Sequence, residues 1–478
     1  MNFDNKKSVV IHNGTTSTIA GFSTNELPKC VIPSCYIKKN NDSLVFGTFQ
    51  MMDEAAKSES GDEVFTIMDS NFGVPYNWEA LEQQWRYIYE NELKCSPSEL
   101  PLVITIPSIL NKNVEVENKI IEQYCKLAFE KMNIPYLQII NESLAISLGM
   151  GKKSSLIIDI SGSGCSVTPI MDGIIIKNGI MKSKFGGDVL DFEIKNNFEQ
   201  KLSNENNDNA EQSSLTMWLD SQTWIRDFKR SMVQVSDKNL QDAERYYEEQ
   251  IRMQQELKSQ YNSSVNTVGI NPLSVKQAYL YKKANQTIDF ELRECYKLGE
   301  ILFQPNLVNE TFNKEDGIGE LIFRSINAAS LANNLATNAS NNINVSTSIS
   351  GTTTTTTSGK ATQFDSNTMR GNISSSNNTA QFTENISNLL NNIIIKGNSS
   401  LISGIETRII NEISIKFPQY KITTFANQIL IDRFLQSWSS SITISKLGDI
   451  AVGMGNTWYC KSDYESKLDL NNQQNKTR

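Results

Sequence analysis

The stretch SLIIDISGSGCSVTPIMDGIIIKNGIMKSKFGGDVLD, Ser155 to Asp191, decides the fold of this chain. An apolar run, Leu156 to Ile158, ends in a carboxylate at Asp159. Gly162 and Gly164 then punctuate a tight reversal, and Val167 to Ile176 resume as strands broken at Asp172-Gly173. The pattern is strand, phosphate-sized loop, strand. Backbone N–H groups gathered in a glycine-permitted loop make an anion nest, and a carboxylate at a strand end can hold a metal through water. Taken alone the stretch fits a plain hairpin as well, so a second loop of the same kind is needed. It lies near the N-terminus: Ser8 to His12 reads as a strand, Asn13-Gly14-Thr15-Thr16-Ser17-Thr18 as a turn of small hydroxyl residues, and Ile19 to Phe22 as the returning strand.

A chain of 478 residues with 39% hydrophobic residues holds two domains with cores of their own. Seven cysteines without metal-ligand spacing and a single histidine argue for a reducing compartment and against structural zinc. The N-terminus lacks an apolar signal region and no stretch approaches a membrane span, so a soluble intracellular protein without membrane contact is expected. With a net charge of -8, unaided binding to duplex DNA is disfavoured and a basic protein partner suits the surface better.

Along the chain, 38–72 reads as acidic and irregular. Asn77 is a helix N-cap for Trp78, Leu81, Trp85, Ile88 and Tyr89, which share one face and read as core. Leu102 to Ile106 is a buried-type strand, Ile120 to Lys131 a helix, and Ile139 to Gly151 another helix. Ser236 to Tyr261 reads as a charged helical insert capped by Ser236. From 327 to 384 the chain turns into Asn, Ser and Thr, which cannot bury enough apolar surface to offset its ordering entropy, and reads as a disordered insert.

Two polar-tipped hairpins separated by helix resemble the superfamily of actin, sugar kinases and heat-shock chaperones. The wording narrows this to actin: Tyr76-Asn77-Trp78-Glu79-Ala80-Leu81-Glu82, Ile225-Arg226-Asp227-Phe228-Lys229, Leu302-Phe303-Gln304-Pro305, Asn391 to Gly397, and Trp458-Tyr459-Cys460-Lys461-Ser462-Asp463-Tyr464 all match in order. Within that family, Val10 to Gly14, Asp159 to Cys165 and Phe417 to Lys421 resemble the actin-related subunits of fungal SWI/SNF and RSC chromatin remodellers. The resemblance implies an α/β, actin-like two-lobed fold with ribonuclease H-like duplicated lobes around a nucleotide cleft. Residues 1–150, completed by 432–478, would form the first lobe and 151–431 the second.

It further implies a cleft bordered by Asn13, Gly14, Thr15, Asp159, Gly162, Gly164, Lys229, Gly397 and Arg433. ATP would be held weakly or as a structural ligand, with the need for magnesium left open. The departures point away from catalysis. His12 stands where actin has a metal-organising aspartate, Ile19 replaces a lysine, and neither alignment of Asp159 to Gly164 restores a second aspartate. Glu142 falls at the position that orients the attacking water, either as a general base or as a helix-start charge. The expected role is a non-catalytic nuclear subunit, without filament self-assembly. It would pair with a second actin-related protein on a helicase/SANT-associated helix of the remodeller ATPase and meet chromatin indirectly. Leu148, Gly173, Trp438 and Ile442 are expected to line an apolar groove for that helix. The competing class is an actin-like ATPase, cytoskeletal or chaperone-like, with Glu142 as its base.

Overall fold

The computed structural model describes residues 7–57, 61–71, 73–109, 114–202, 213–261, 271–307, 309–331, 382–427, 429–447 and 458–466. Two sheets share one plan. The first orders its strands Trp458–Cys460, Tyr136–Asn141, Leu102–Ile106, Val9–Asn13, Ser17–Phe22, Cys30–Pro33. The second runs Ile174–Ile175, Cys165–Met171, Ser155–Ile160, Ile393–Lys396, Thr424–Phe425, with Met181–Ser183 also paired to Cys165–Met171. In each, an antiparallel hairpin lays its first strand parallel to a later one, Val9–Asn13 beside Leu102–Ile106 and Ser155–Ile160 beside Ile393–Lys396. These are continuous Val, Ile and Leu runs, buried on both faces, as parallel strands require. The duplicated α/β architecture is therefore the one expected.

The passage between the sheets begins later than the sequence suggested. Ile139 to Asn141 finish a strand, and the helix is Glu142–Gly149, capped by Asn141, whose side chain accepts a bond of 3.2 Å from the Leu144 N–H. Beside it runs the helix Leu430–Leu447. Its Leu435, Trp438, Ile442 and Ile444 pack with Val10, Ile19, Val103, Ile140 and Ala145 in a small core on one side of the first sheet.

That packing corrects the expected groove. Trp438 is fully buried and its Nε1 donates to the Val10 carbonyl at 3.1 Å, while Ile442 is 8% exposed. The helical period carries both residues inward with Leu435, and the exposed positions nearby are Ser439 and Thr443. Leu148 is half-buried against the same core. Gly173 is buried in the turn Met171-Asp172-Gly173-Ile174, where its φ of +79° and its N–H bond of 2.7 Å to the Lys153 carbonyl serve the backbone reversal. The four residues do not make an open apolar surface.

The region expected to be irregular also folds. Cys35–Lys38 pairs with Leu44–Val45 and Glu63–Thr66, and the helix Thr48–Lys57 contributes Met51 beneath them. Cys35, Ile37 and Met51 then meet Leu215 and Trp218 of the helix Ser214–Gln222, and the Val64 N–H donates to Ser214 Oγ at 2.9 Å. This apolar clasp ties the small sheet to the opposite lobe.

The charged insert is the helix Leu240–Tyr261. Its cap is Asn239, whose side chain accepts from the Asp242 N–H at 2.8 Å, and not Ser236, which is buried beneath. Leu240 and Ala243 are buried, and Glu244 pairs with Arg293 at 2.7 Å. Beyond them Tyr246, Met253 and Leu257 are exposed. Arg408 fixes the base: it forks onto Glu300 at 2.7 and 3.1 Å and donates to the carbonyls of Lys238 at 2.6 Å and Ser236 at 3.2 Å. The edges of the second insert differ from expectation too. Helices over 318–331 and 382–390 flank it, and Ala329 and Phe382 pack in the second lobe's core, so both ends of the expected insert are helical and rooted in the body. Residues 332–381 lie outside the described residues.

Because Trp438 fills a core and donates its only polar hydrogen there, Trp438→Ala should cost about 3 to 5 kcal/mol of stability. Ser439→Ala, one position along on the exposed face, should change stability by no more than about 0.5 kcal/mol. Chemical denaturation of the two variants beside the parent measures the contrast.

Candidate functional site

The two hairpin tips face one another. The first closes with the Gly14 N–H on the Ser17 carbonyl at 3.0 Å, the second with the Ser161 N–H on the Gly164 carbonyl at 2.9 Å. They approach so nearly that a Cβ on Gly162 would lie 2.2 Å from Thr16 Cγ2. Gly397 completes the enclosure at φ +92°, where a Cβ would lie 2.4 Å from the Ile160 carbonyl and 2.6 Å from Asp159 Oδ1. Between these segments is a cavity of about 280 Å³.

Asn13, Gly14, Thr15, Asp159, Gly162, Gly164, Gly397 and Arg433 all border the cavity. The side chains of Asn13 and Arg433 are engaged in the frame. Asn13 accepts from Trp85 Nε1 at 3.2 Å and donates to Thr18 Oγ1 at 3.1 Å, while Arg433 donates to the Ser400 carbonyl at 2.9 Å and the Asn427 carbonyl at 2.8 Å. Lys229 is not brought to the cavity: its ammonium pairs with Asp191 at 2.5 Å and donates to the Gly187 carbonyl at 3.2 Å.

The centre of the site is a residue that sequence reasoning passed over. Lys396 closes the Ile393–Lys396 strand in register with Asp159, and its ammonium is buried. It bonds Glu142 Oε1, Asp159 Oδ2 at 3.1 Å and Ser437 Oγ at 3.2 Å. Ser437 Oγ also donates to Glu142 Oε1, and Ser161 Oγ donates to Asp159 Oδ1 at 2.5 Å. Burial alone would disfavour both charges. The Lys396 ammonium, together with the hydrogen bonds from Lys396 and Ser437, outweighs burial at Glu142 and holds its carboxyl well below the usual range. Asp159 and Glu142 likewise outweigh burial at Lys396 and hold its ammonium above the usual lysine range. Glu142 is thus neither a solvated helix start nor an available base. His12 is bonded to Thr105 Oγ1 at 2.7 Å, and burial lowers its pKa, which favours the neutral ring. The missed signal was a lysine ending an Ile-Ile-Ile run directly before Gly397.

A family model described as Actin matches residues 3–467. The chain belongs to the actin family. Over 486 residues, 97% of this chain and 96% of the other, it is 44% identical to Actin-related protein 7 of Saccharomyces cerevisiae. It is 24% identical over 494 residues, 97% of this chain and 95% of the other, to an Actin-related protein 4 of Debaryomyces hansenii. A shorter match, 27% over 192 residues covering 40% of this chain and 43% of the other, is to the SWI/SNF and RSC complexes subunit arp42 of Schizosaccharomyces pombe.

Membership of the actin family implies a nucleotide and its divalent cation. The tips, their glycines and the surrounding lysines suit a phosphate chain. The cation does not fit. Magnesium demands oxygen ligands at about 2.1 Å in octahedral array, whereas the two carboxylates here bracket an ammonium and the third position is an imidazole. Among the described residues no group of three or more His, Cys, Asp or Glu side chains is placed to hold a metal.

Glu142→Gln leaves Lys396 with one carboxylate, and breaking a buried pair in this way should cost about 3 to 5 kcal/mol near neutral pH. Since the folded-state pKa of Glu142 is depressed, its stabilisation is present above the ordinary value of 4.5 and is lost as pH falls below it. The gap between parent and variant should therefore hold steady from about pH 8 to pH 5 and narrow below, as read by unfolding across pH.

Proposed function

We propose that this protein is a non-catalytic actin-related subunit of an ATP-dependent chromatin-remodelling complex, acting in the nucleus. In this reading it pairs with a second actin-related protein on a helical segment beside the remodeller's motor and assembles no filament. The likeness to Actin-related protein 7 along nearly the whole chain supports the subunit role, as does the partial likeness to a protein named as a SWI/SNF and RSC complexes subunit. A net charge of -8 suits a basic helical partner.

The observation that carries the non-catalytic part is the Lys396 ammonium seated between Glu142 and Asp159. Phosphoryl transfer depends on positioning and charge compensation. Here the carboxylate at the water-orienting position is spent on an ion pair and a hydroxyl bond, and so strongly held an acid is a poor proton acceptor.

Purified protein should release no more phosphate from ATP than its Asp159→Ala variant does. Turnover removed by Glu142→Gln would defeat the reading. Protein tagged and purified from its source should carry with it a remodeller ATPase and a second actin-related protein, identified by mass spectrometry. Recovery without either would remove the complex from the proposal.

A further inference from the structure

The cavity between the hairpin tips has a charge opposite to that of the protein. Although the chain carries a net charge of -8, the cavity walls bear Lys182, Lys184, Lys396 and Arg433 against two carboxylates, Glu142 and Asp159. Both carboxylates are bonded to the same ammonium. The one imidazole in the wall, His12, has its pKa lowered by burial, which favours the neutral ring and leaves the positive sign to the lysines and Arg433. A concave site of this sign attracts a polyanion, and low-dielectric walls strengthen the attraction. Glycine-bearing tips at 13–17 and 161–165 present the close backbone approach that phosphate oxygens need. At about 280 Å³ the space is at the lower edge of the range for small-molecule sites, about 300 to 1,000 Å³, and suits a phosphate chain better than a large ring system.

In a metal-dependent site, carboxylates hold a hydrated cation that neutralises the phosphate chain. Here the corresponding carboxylates hold a covalently tethered cation that cannot diffuse away. A divalent ion entering between Glu142 and Asp159 would meet the Lys396 charge at contact distance and would have to break its bonds. We propose that the cavity binds a polyphosphate chain, free or as the tail of a nucleotide, without a divalent metal, and that Lys396 serves as its resident counter-cation.

This rests on the reading of the site as non-catalytic but not on membership of any complex. Turnover of ATP would sink that earlier reading, whereas metal-dependent binding without turnover would sink only this one. The experiment is calorimetric titration of the full chain with ATP, and separately with inorganic tripolyphosphate, in EDTA and in excess magnesium chloride. ATP should bind in EDTA at least as tightly as with magnesium. Comparable binding of tripolyphosphate would show that the chain alone suffices, and binding of ATP only would show that the nucleotide is the source. Either result upholds the proposal. Binding of ATP that appears only with magnesium, or no binding of either compound in EDTA, overturns it.

Lys396→Ser should lose about tenfold or more in affinity in EDTA and recover part of it when magnesium is added, because Glu142 and Asp159 are then released to hold the ion. Should that buried substitution prevent folding, Lys184→Ala, at an exposed position in the cavity wall, provides the second variant. It should weaken binding of both compounds in EDTA several-fold, and unchanged binding would count against the proposal.

Discussion

One buried ammonium organises this molecule. Lys396 comes from the second sheet, Glu142 opens the helix that leaves the first, Ser437 sits on the helix Leu430–Leu447, and Asp159 lies in register with Lys396 on the strand alongside. Glu142, Asp159 and Ser437, from three different elements, thus converge on the nitrogen of a fourth. An isolated buried charge is untenable, and a buried pair stripped of one partner is nearly as bad. The two lobes therefore cannot shift far apart at this point without exposing or orphaning a charge. The bracing is built into the chain itself.

What was legible in the sequence follows the same physics. The two sheets could be read because their strands are long β-branched runs ended by glycine turns, and Asp172-Gly173 marks its own reversal. The small sheet was missed because its strands are short, Leu44–Val45 being the shortest, and its side chains lean on the other lobe, which no local pattern shows. Trp438 was misassigned because an aromatic residue was placed by likeness and not by helix phase. Counting from Leu435 would have turned it inward. Lys396 carries no local signal of its partners, because the carboxylates that its ammonium meets lie more than two hundred residues away in sequence. The limits of the long insert were drawn where composition changes, but Ala329 and Phe382 show that helices persist into the polar segment.

Arg408 repeats the device of Lys396 at another scale. Its guanidinium, buried with Glu300, donates through Nε to Glu412 and through Nη1 to the main-chain carbonyls of Ser236 and Lys238. The chain leaving toward the charged helix is thereby held by bonds to backbone, which do not depend on which residues occupy the insert. A protruding helix anchored in this way can vary along its length while the lobe beneath it stays intact.

The apolar clasp between Cys35, Ile37, Met51, Leu215 and Trp218 has a consequence for time rather than for affinity. If opening the cleft requires those side chains to part, the barrier to entry and escape contains the cost of wetting them, whatever occupies the cavity. Residence would then be governed by the opening frequency of the clasp, and a weakly held occupant could stay long after its equilibrium constant suggests that it should have left.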